Sequence, residues 1–176
     1  LKSFRDWAYD RGETIRATTS FLMADSTTPD GDYIKPQTNP TNTDCWNGKA
    51  YTPLNQLTPG RTKYGTNNNV RIFRYADVLL MNAEAKIKNG KSGDAPFNEV
   101  RRRAQMPELT NVTFEQVIDE RRMELVCEWG ERYNDLVRTG LAKTELKGWS
   151  EDKALLPLPF NQYTQIPDLL KEPKDE

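Results

Sequence analysis

The composition of the chain changes sharply near Asn69, and that change decides what each part can become. From Ser26 to Asn69, Thr, Asn, Pro and Gly dominate, as in Thr27-Thr28-Pro29-Asp30-Gly31, Asn39-Pro40-Thr41-Asn42-Thr43, Thr58-Pro59-Gly60 and Asn67-Asn68-Asn69. These residues favour turns and stop helix propagation, so the stretch reads as a long loop region. A loop of that length within a compact domain is functional or disordered. Tyr33, Trp46, Tyr51 and Tyr64 argue against disorder, because large rings need packing partners. Just before the loop, residues 16–23 (Arg-Ala-Thr-Thr-Ser-Phe-Leu-Met) read as a short strand. Residues 1–69 therefore form a loop-rich segment and residues 70–176 a helical one.

Within the helical segment, Ala76, Leu79, Leu80, Ala83 and Ile87 recur at helical spacing between Tyr75 and Asn89, and Gly90 supplies a stop. A second helix, short and strongly charged, is predicted from Asp94 through Phe97, Val100 and Ala104 until Pro107 ends it. Glu99 is placed in it to pair with Arg102 or Arg103. A third begins at Thr113, where Thr113-Phe114-Glu115-Gln116 fits the capping-box pattern, and carries Phe114, Val117, Ile118 and Leu125 on one side. The pattern continues through Leu136 and Val137 to Gly140, with a break or bend at Gly130. Further on, Leu155-Leu156-Pro157-Leu158-Pro159-Phe160 alternates Leu with Pro and suits an extended surface segment packed on the helices. The charged end, residues 171–176, should fray.

The third helix carries an inconsistency. At about 100° per residue, Arg121 and Glu128 project onto the same face as Phe114, Val117, Ile118 and Leu125. A buried charge without a partner is strongly unfavourable, so Arg121 and Glu128 should be held in an ion network with Arg132 or Asp135 from the following segment. One reading is a structural clamp between helices. The other treats Glu120, Glu124 and Glu128 as a carboxylate cluster for glycoside hydrolysis, which needs two carboxyl groups flanking one bond. The clamp is the stronger reading, because the same segment supplies enough Arg to neutralise each carboxylate, and a neutralised carboxylate is a poor proton donor.

Other chemistry is narrowed by what the chain lacks. There is no His, which removes Ser-His and Cys-His triads and leaves only Cys and carboxylates as zinc ligands, so no metal or cofactor is expected. Lys and Arg total 25 against 26 Asp and Glu, and a net charge of -1 gives no basic face for nucleic acid. Cys45 and Cys127 have no C-x-x-C spacing; two unpaired side chains is the simpler reading, and a sequence-distant bridge stays open. No apolar run approaches the roughly 20 residues needed to cross a bilayer, and the opening residues are neither a secretory signal nor a translation start. The chain reads as a piece of a longer product.

Five blocks taken together resemble a known family: residues 74–85 (RYADVLLMNAEA), 97–104 (FNEVRRRA), 120–125 (ERRMEL), 132–140 (RYNDLVRTG) and 156–159 (LPLP). In this order they resemble the C-terminal signature of the SusD/RagB family of Bacteroidetes outer-membrane nutrient-binding lipoproteins. One departure stands out. Glu128-Trp129-Gly130-Glu131-Arg132 holds one residue more than the usual Glu-Gly-x-Arg, which a bulge in the helix would absorb.

The resemblance implies a mainly α fold, the helical C-terminal portion of a SusD-like protein with long irregular loops and at most short β-strands. It also implies an N-terminal half of tetratricopeptide-like repeats and a lipidated Cys, neither present in this chain. Members hold a glycan, or for some relatives a peptide, at the cell surface over a TonB-dependent transporter. Sugar is held by an aromatic ring under the apolar face of a pyranose and by polar side chains at its edge. Asp44, Trp46, Asn47 and Tyr51 lie close together in the loop region and are the candidate ligand contacts. Trp7, Trp129 and Trp149 are weaker candidates, because their neighbours suggest packing. The competing readings are a glycosidase using Glu124 and Glu128, and an adaptor that docks the transporter without touching ligand.

Overall fold

The structure, a computed structural model, describes residues 2–36, 45–59, 72–129, 131–155 and 159–165. It divides into two compact units, residues 1–134 and 135–176. The first holds α1 (Lys2–Asp10), α2 (Ile15–Ser20), β1 (Phe21–Met23), β2 (Ser26–Thr27), β3 (Tyr33–Ile34), β4 (Cys45–Asn47), α3 (Tyr75–Lys88), α4 (Asp94–Arg103) and α5 (Phe114–Glu124). Single 3-10 turns lie at Gly48–Ala50 and Leu54–Gln56. Helix α6 (Glu131–Arg138) runs across the division; α7 (Ala142–Glu145), a 3-10 turn at Glu151–Ala154 and α8 (Phe160–Gln165) follow in the second unit. The chain is mainly helical, and its strands reach three residues at most among those described.

Helices α3, α4 and α5 share one core. The predicted stripe of α3 buries Ala76, Leu79, Leu80 and Ala83 against Phe97 and Val100 of α4, Val112 of the connection before α5 and Val117 of α5, with Ile87 and Leu109 packed on the edge. Leu80 and Phe97, at 0% and 1% exposure, each contribute about 1.5–3 kcal/mol by leaving water. Thr113 caps α5 as the spacing implies: its side chain accepts from the Gln116 amide, and Gln116 accepts in return from the Thr113 N–H. The α4–α5 connection is fastened by Asp94, which accepts from the backbone N–H of Val112 at 2.9 Å and of Asn111 at 3.0 Å. Those two bonds hold the Asp94 carboxyl below its ordinary range.

Two boundaries differ from expectation. Helix α4 stops at Arg103, ahead of Pro107, because Gln105 takes a left-handed conformation (φ 56°) and the Met106 N–H turns back to Arg101 O. Its Glu99 meets the Tyr75 hydroxyl, while Arg102 pairs with Glu108 at 2.9 Å and Arg103 with Glu124. Helix α5 ends at Glu124 rather than bulging near Gly130, since Cys127 is left-handed (φ 62°) and forces a turn.

A second cluster joins α1, α2 and the strands: Ala8, Ala17, Phe21, Cys45 and Met123 are buried together, with Phe4, Trp7 and Val126 against them. Residues 16–20, expected as part of a strand, belong to α2, and only Phe21–Met23 is extended. Thr18 and Thr19 direct their hydroxyls back to the Thr14, Ile15 and Arg16 carbonyls, which reconciles a Thr-rich run with a helical turn. Strand β1 pairs antiparallel with β4 in the register Phe21↔Asn47, Leu22↔Trp46 and Met23↔Cys45. That pairing brings Gly48 against α2: a Cβ there would stand 2.1 Å from Thr19 O, so no larger residue fits. Strands β2 and β3 form a small hairpin. Cys45 and Cys127 both stand as thiols, the first buried and the second half-buried. Tyr64, Pro157 and the charged end 171–176 lie outside the described residues.

Candidate functional site

The buried charges form the densest chemistry in the first unit. On α5, Glu120 and Glu124 are one helical turn apart, with side chains 0% and 2% exposed. Glu120 accepts from Arg16 at 2.6 Å, Arg11 at 2.7 Å and Arg101 at 2.8 Å. Glu124 accepts from Arg103 at 2.6 Å, Arg74 at 2.8 Å and Arg16 at 3.1 Å. Glu13 completes the α2 side, bonded to Arg16 and lying 3.3 Å from Arg11. Glu128, beyond the turn, accepts from Lys49 at 2.7 Å and Arg74 at 2.8 Å. Lys49 and Arg74 also donate to the Glu124 carbonyl at 2.6 and 2.8 Å, closing the C-terminus of α5 with positive charge.

Four carboxylates thus face six cations, drawn from α1–α2, the Gly48–Ala50 turn, the start of α3 and helix α4. Burial alone would raise the Glu120 carboxyl, but Arg16, Arg11 and Arg101 hold it below its ordinary value; Arg74 and Lys49 do the same for Glu128. A general acid needs the opposite shift. Among the described residues no group of three or more Asp, Glu or Cys could hold a metal ion.

The residues singled out from the sequence fall into different places. Arg121, 3% exposed, donates to Asp77 of α3 at 2.6 Å and lies 3.9 Å from Glu131. Glu128 does not share the α5 face, because the helix has already ended. Asp135 is bonded by Arg138 within α6 at 2.6 Å, and Arg132 is half-buried on the same helix. The neutralising arginines for Glu120 and Glu124 come from distant segments, not from the 120–138 stretch; nothing local in the sequence marks Arg11, Arg16, Arg74 or Arg101 as their partners.

The aromatic loop is also divided. Strand alternation turns Cys45 and Asn47 to one side and Trp46 to the other. Asn47 is spent on structure: its side chain accepts from the Lys49 and Ala50 amides and donates to Cys127 O at 3.1 Å. Tyr51 is half-buried, with its hydroxyl bonded to Asp32 and 3.1 Å from the Thr28 hydroxyl, so burial and Asp32 push it up. Trp46 remains 40% exposed, and its indole N–H donates to Lys35 O at 3.3 Å, just after β3, which fixes the ring. Asp44 lies outside the described residues. Trp129, expected to pack, is 64% exposed, whereas Trp7 carries Arg11 and Arg122 over its ring at 5.0 and 4.3 Å.

Comparison with known proteins places this architecture. The chain is 33% identical over 119 residues to the SusD-like protein P38 of Formosa agariphila, covering 57% of this chain and 24% of that protein. It is 36% identical over 81 residues to the starch-binding protein SusD of Bacteroides thetaiotaomicron, covering 46% of this chain and 14% of that one. The structure superposes on surface glycan-binding protein A from Bacteroides thetaiotaomicron with a TM-score of 0.77 at 28% identity, covering 97% of this chain and 40% of that chain. The same protein in complex with laminarihexaose gives a TM-score of 0.72 at 28% identity, covering 91% and 38%. The chain therefore spans about a quarter or less of the curated relatives' length. A model of the SusD family matches residues 3–168, and the chain belongs to that family.

Proposed function

We propose that this chain takes part in binding a glycan at the cell surface, in an outer-membrane lipoprotein that passes the ligand to a TonB-dependent transporter. The observation that carries the reading is Trp46, a large ring 40% exposed yet held in place by strand pairing and by Lys35. An exposed, immobilised indole is the surface on which a pyranose face stacks at low entropic cost. Surface glycan-binding protein A has been captured with laminarihexaose, and its likeness to this chain supports the same ligand class here. A role in capture rather than hydrolysis fits the carboxylates, which are held ionised by guanidinium groups. The test is calorimetric titration with neutral oligosaccharides: Trp46→Ala should weaken the tightest ligand at least tenfold while leaving the unfolding midpoint in place. Release of reducing ends at enzymatic rates, abolished by Glu128→Gln, would replace this reading with a glycosidase.

A second reading, an adaptor that docks other protein and touches no glycan, is favoured by a run of exposed apolar side chains. Ile72, Phe73, Tyr75, Val78 and Met81 are 41–75% exposed along the start and outer side of α3. Under it, Trp46→Ala leaves glycan affinity unchanged.

A further inference from the structure

A cavity of about 290 Å³ opens between α1, α4 and α5, and Trp46 is not among its lining residues. Phe97, Met106, Leu109 and Trp7 form its apolar wall, and Arg11, Arg101, Gln116, Asp119 and Glu120 its polar side. Two cations and two carboxylates line it, so it carries no net charge to select an ion. Its unused hydrogen-bonding capacity is of both kinds. Arg101 is 6% exposed and spends Nε on Pro107 O and Nη1 on Glu120, leaving Nη2 with no bond to a described residue. Gln116 uses its carbonyl oxygen to accept from Thr113 N, leaving its amide N–H groups to give. Asp119 presents a carboxylate that bonds no other described residue. Glu120 closes the polar side, fixed by three arginines and therefore unable to turn away.

An apolar wall facing donors and acceptors at balanced charge matches a neutral ring whose hydroxyls each give and accept. The volume lies near the lower end for ligand cavities, enough for one ring rather than a chain. We infer that this cavity is a second glycan subsite, taking a single neutral pyranose unit with its apolar face on Met106 and Leu109 and its hydroxyls on Arg101, Gln116 and Asp119. The inference rests on the glycan reading above, and the two can fail separately.

Amide and indole N–H spectra of the nitrogen-15-labelled chain are recorded during titration with laminarihexaose, maltohexaose, cellohexaose, xylohexaose and mannohexaose. The Trp7 and Trp46 indole signals are assigned by Trp→Phe substitution. The expected result is a saturable shift of the Trp7 signal with at least one probe. Asp119→Ala should weaken that response at least tenfold, with the Trp46 response and the unfolding midpoint unchanged; Asp119 is exposed, and its one described bond, from Arg11 Nη1 at 3.4 Å, is to its backbone carbonyl and survives the substitution. A Trp7 signal unmoved by all five probes, or one that titrates identically in Asp119→Ala, overturns the subsite. Movement of Trp46 alone leaves the loop reading standing and removes the cavity; movement of Trp7 alone does the reverse.

Discussion

Glu120→Gln isolates what the buried network contributes. The substitution keeps the shape of the side chain but removes its charge and replaces one acceptor with a donor that faces guanidinium. Of its three partners, Arg16 retains Glu13 and Glu124, and Arg11 retains Glu13 and is 18% exposed. Arg101 is left with the Pro107 carbonyl alone, at 6% exposure. Stranding a buried cation in this way costs about 3–5 kcal/mol. For a chain of this length each kcal/mol moves the thermal midpoint by about 2–4 °C, so the variant should melt about 6–20 °C lower. The measurement is urea denaturation followed by Trp fluorescence, with thermal melts as a check. The pH dependence supplies a second signature. Because the folded Glu120 carboxyl lies below its ordinary value of 4.5, its contribution is complete above that value and is lost as pH falls through the folded pKa. Wild-type stability should therefore fall more steeply than that of Glu120→Gln as the pH drops below 4.5. A stability loss under about 1 kcal/mol at neutral pH, within the range of an exposed pair, would show that the arginines do not depend on Glu120.

Gly48→Ala should destabilise by roughly 1–3 kcal/mol or more, because its methyl group meets Thr19 O at 2.1 Å and must push β4 from α2; an unchanged urea midpoint would contradict the close approach. Thr113→Ala should cost about 1 kcal/mol through loss of the α5 cap, read in the same assay and compared with Thr113→Ser, which keeps the cap. Cys127, half-buried and with its thiol pushed up mainly by burial, should alkylate with iodoacetamide more slowly at pH 8 than an exposed model thiol. Equal rates would place that side chain in water.

What could be read from the sequence is what depends on neighbours along the chain. The α3 stripe and the Thr113–Gln116 box are set by residues three and four apart, and both appear where their spacing puts them. The need of Arg121 for a partner was also visible, since a charge on an apolar face demands one whatever the fold, but the spacing wrongly puts Glu128 on that face because the end of the helix at Glu124 was not visible. Which partners was not visible, because Arg11 and Arg16 are more than a hundred residues from Glu120 in sequence. Residues 16–20 went astray for the same reason: β-branched side chains favour a strand, whereas in the fold Arg16 is held by Glu13, Glu120 and Glu124 and the segment is helical. The Trp46 loop shows a subtler loss. Polar, turn-rich composition marked Asn47 and Tyr51 as exposed along with Trp46, yet three consecutive extended residues cannot share one face. Once 45–47 pairs with β1, Asn47 must turn toward Cys127 if Trp46 turns away, and a register shift of one residue would bury the indole and expose Asn47. The outward Trp46 is thus a consequence of the Leu22↔Trp46 pairing, and the candidate ligand surface stands or falls with that strand register rather than with the loop's composition.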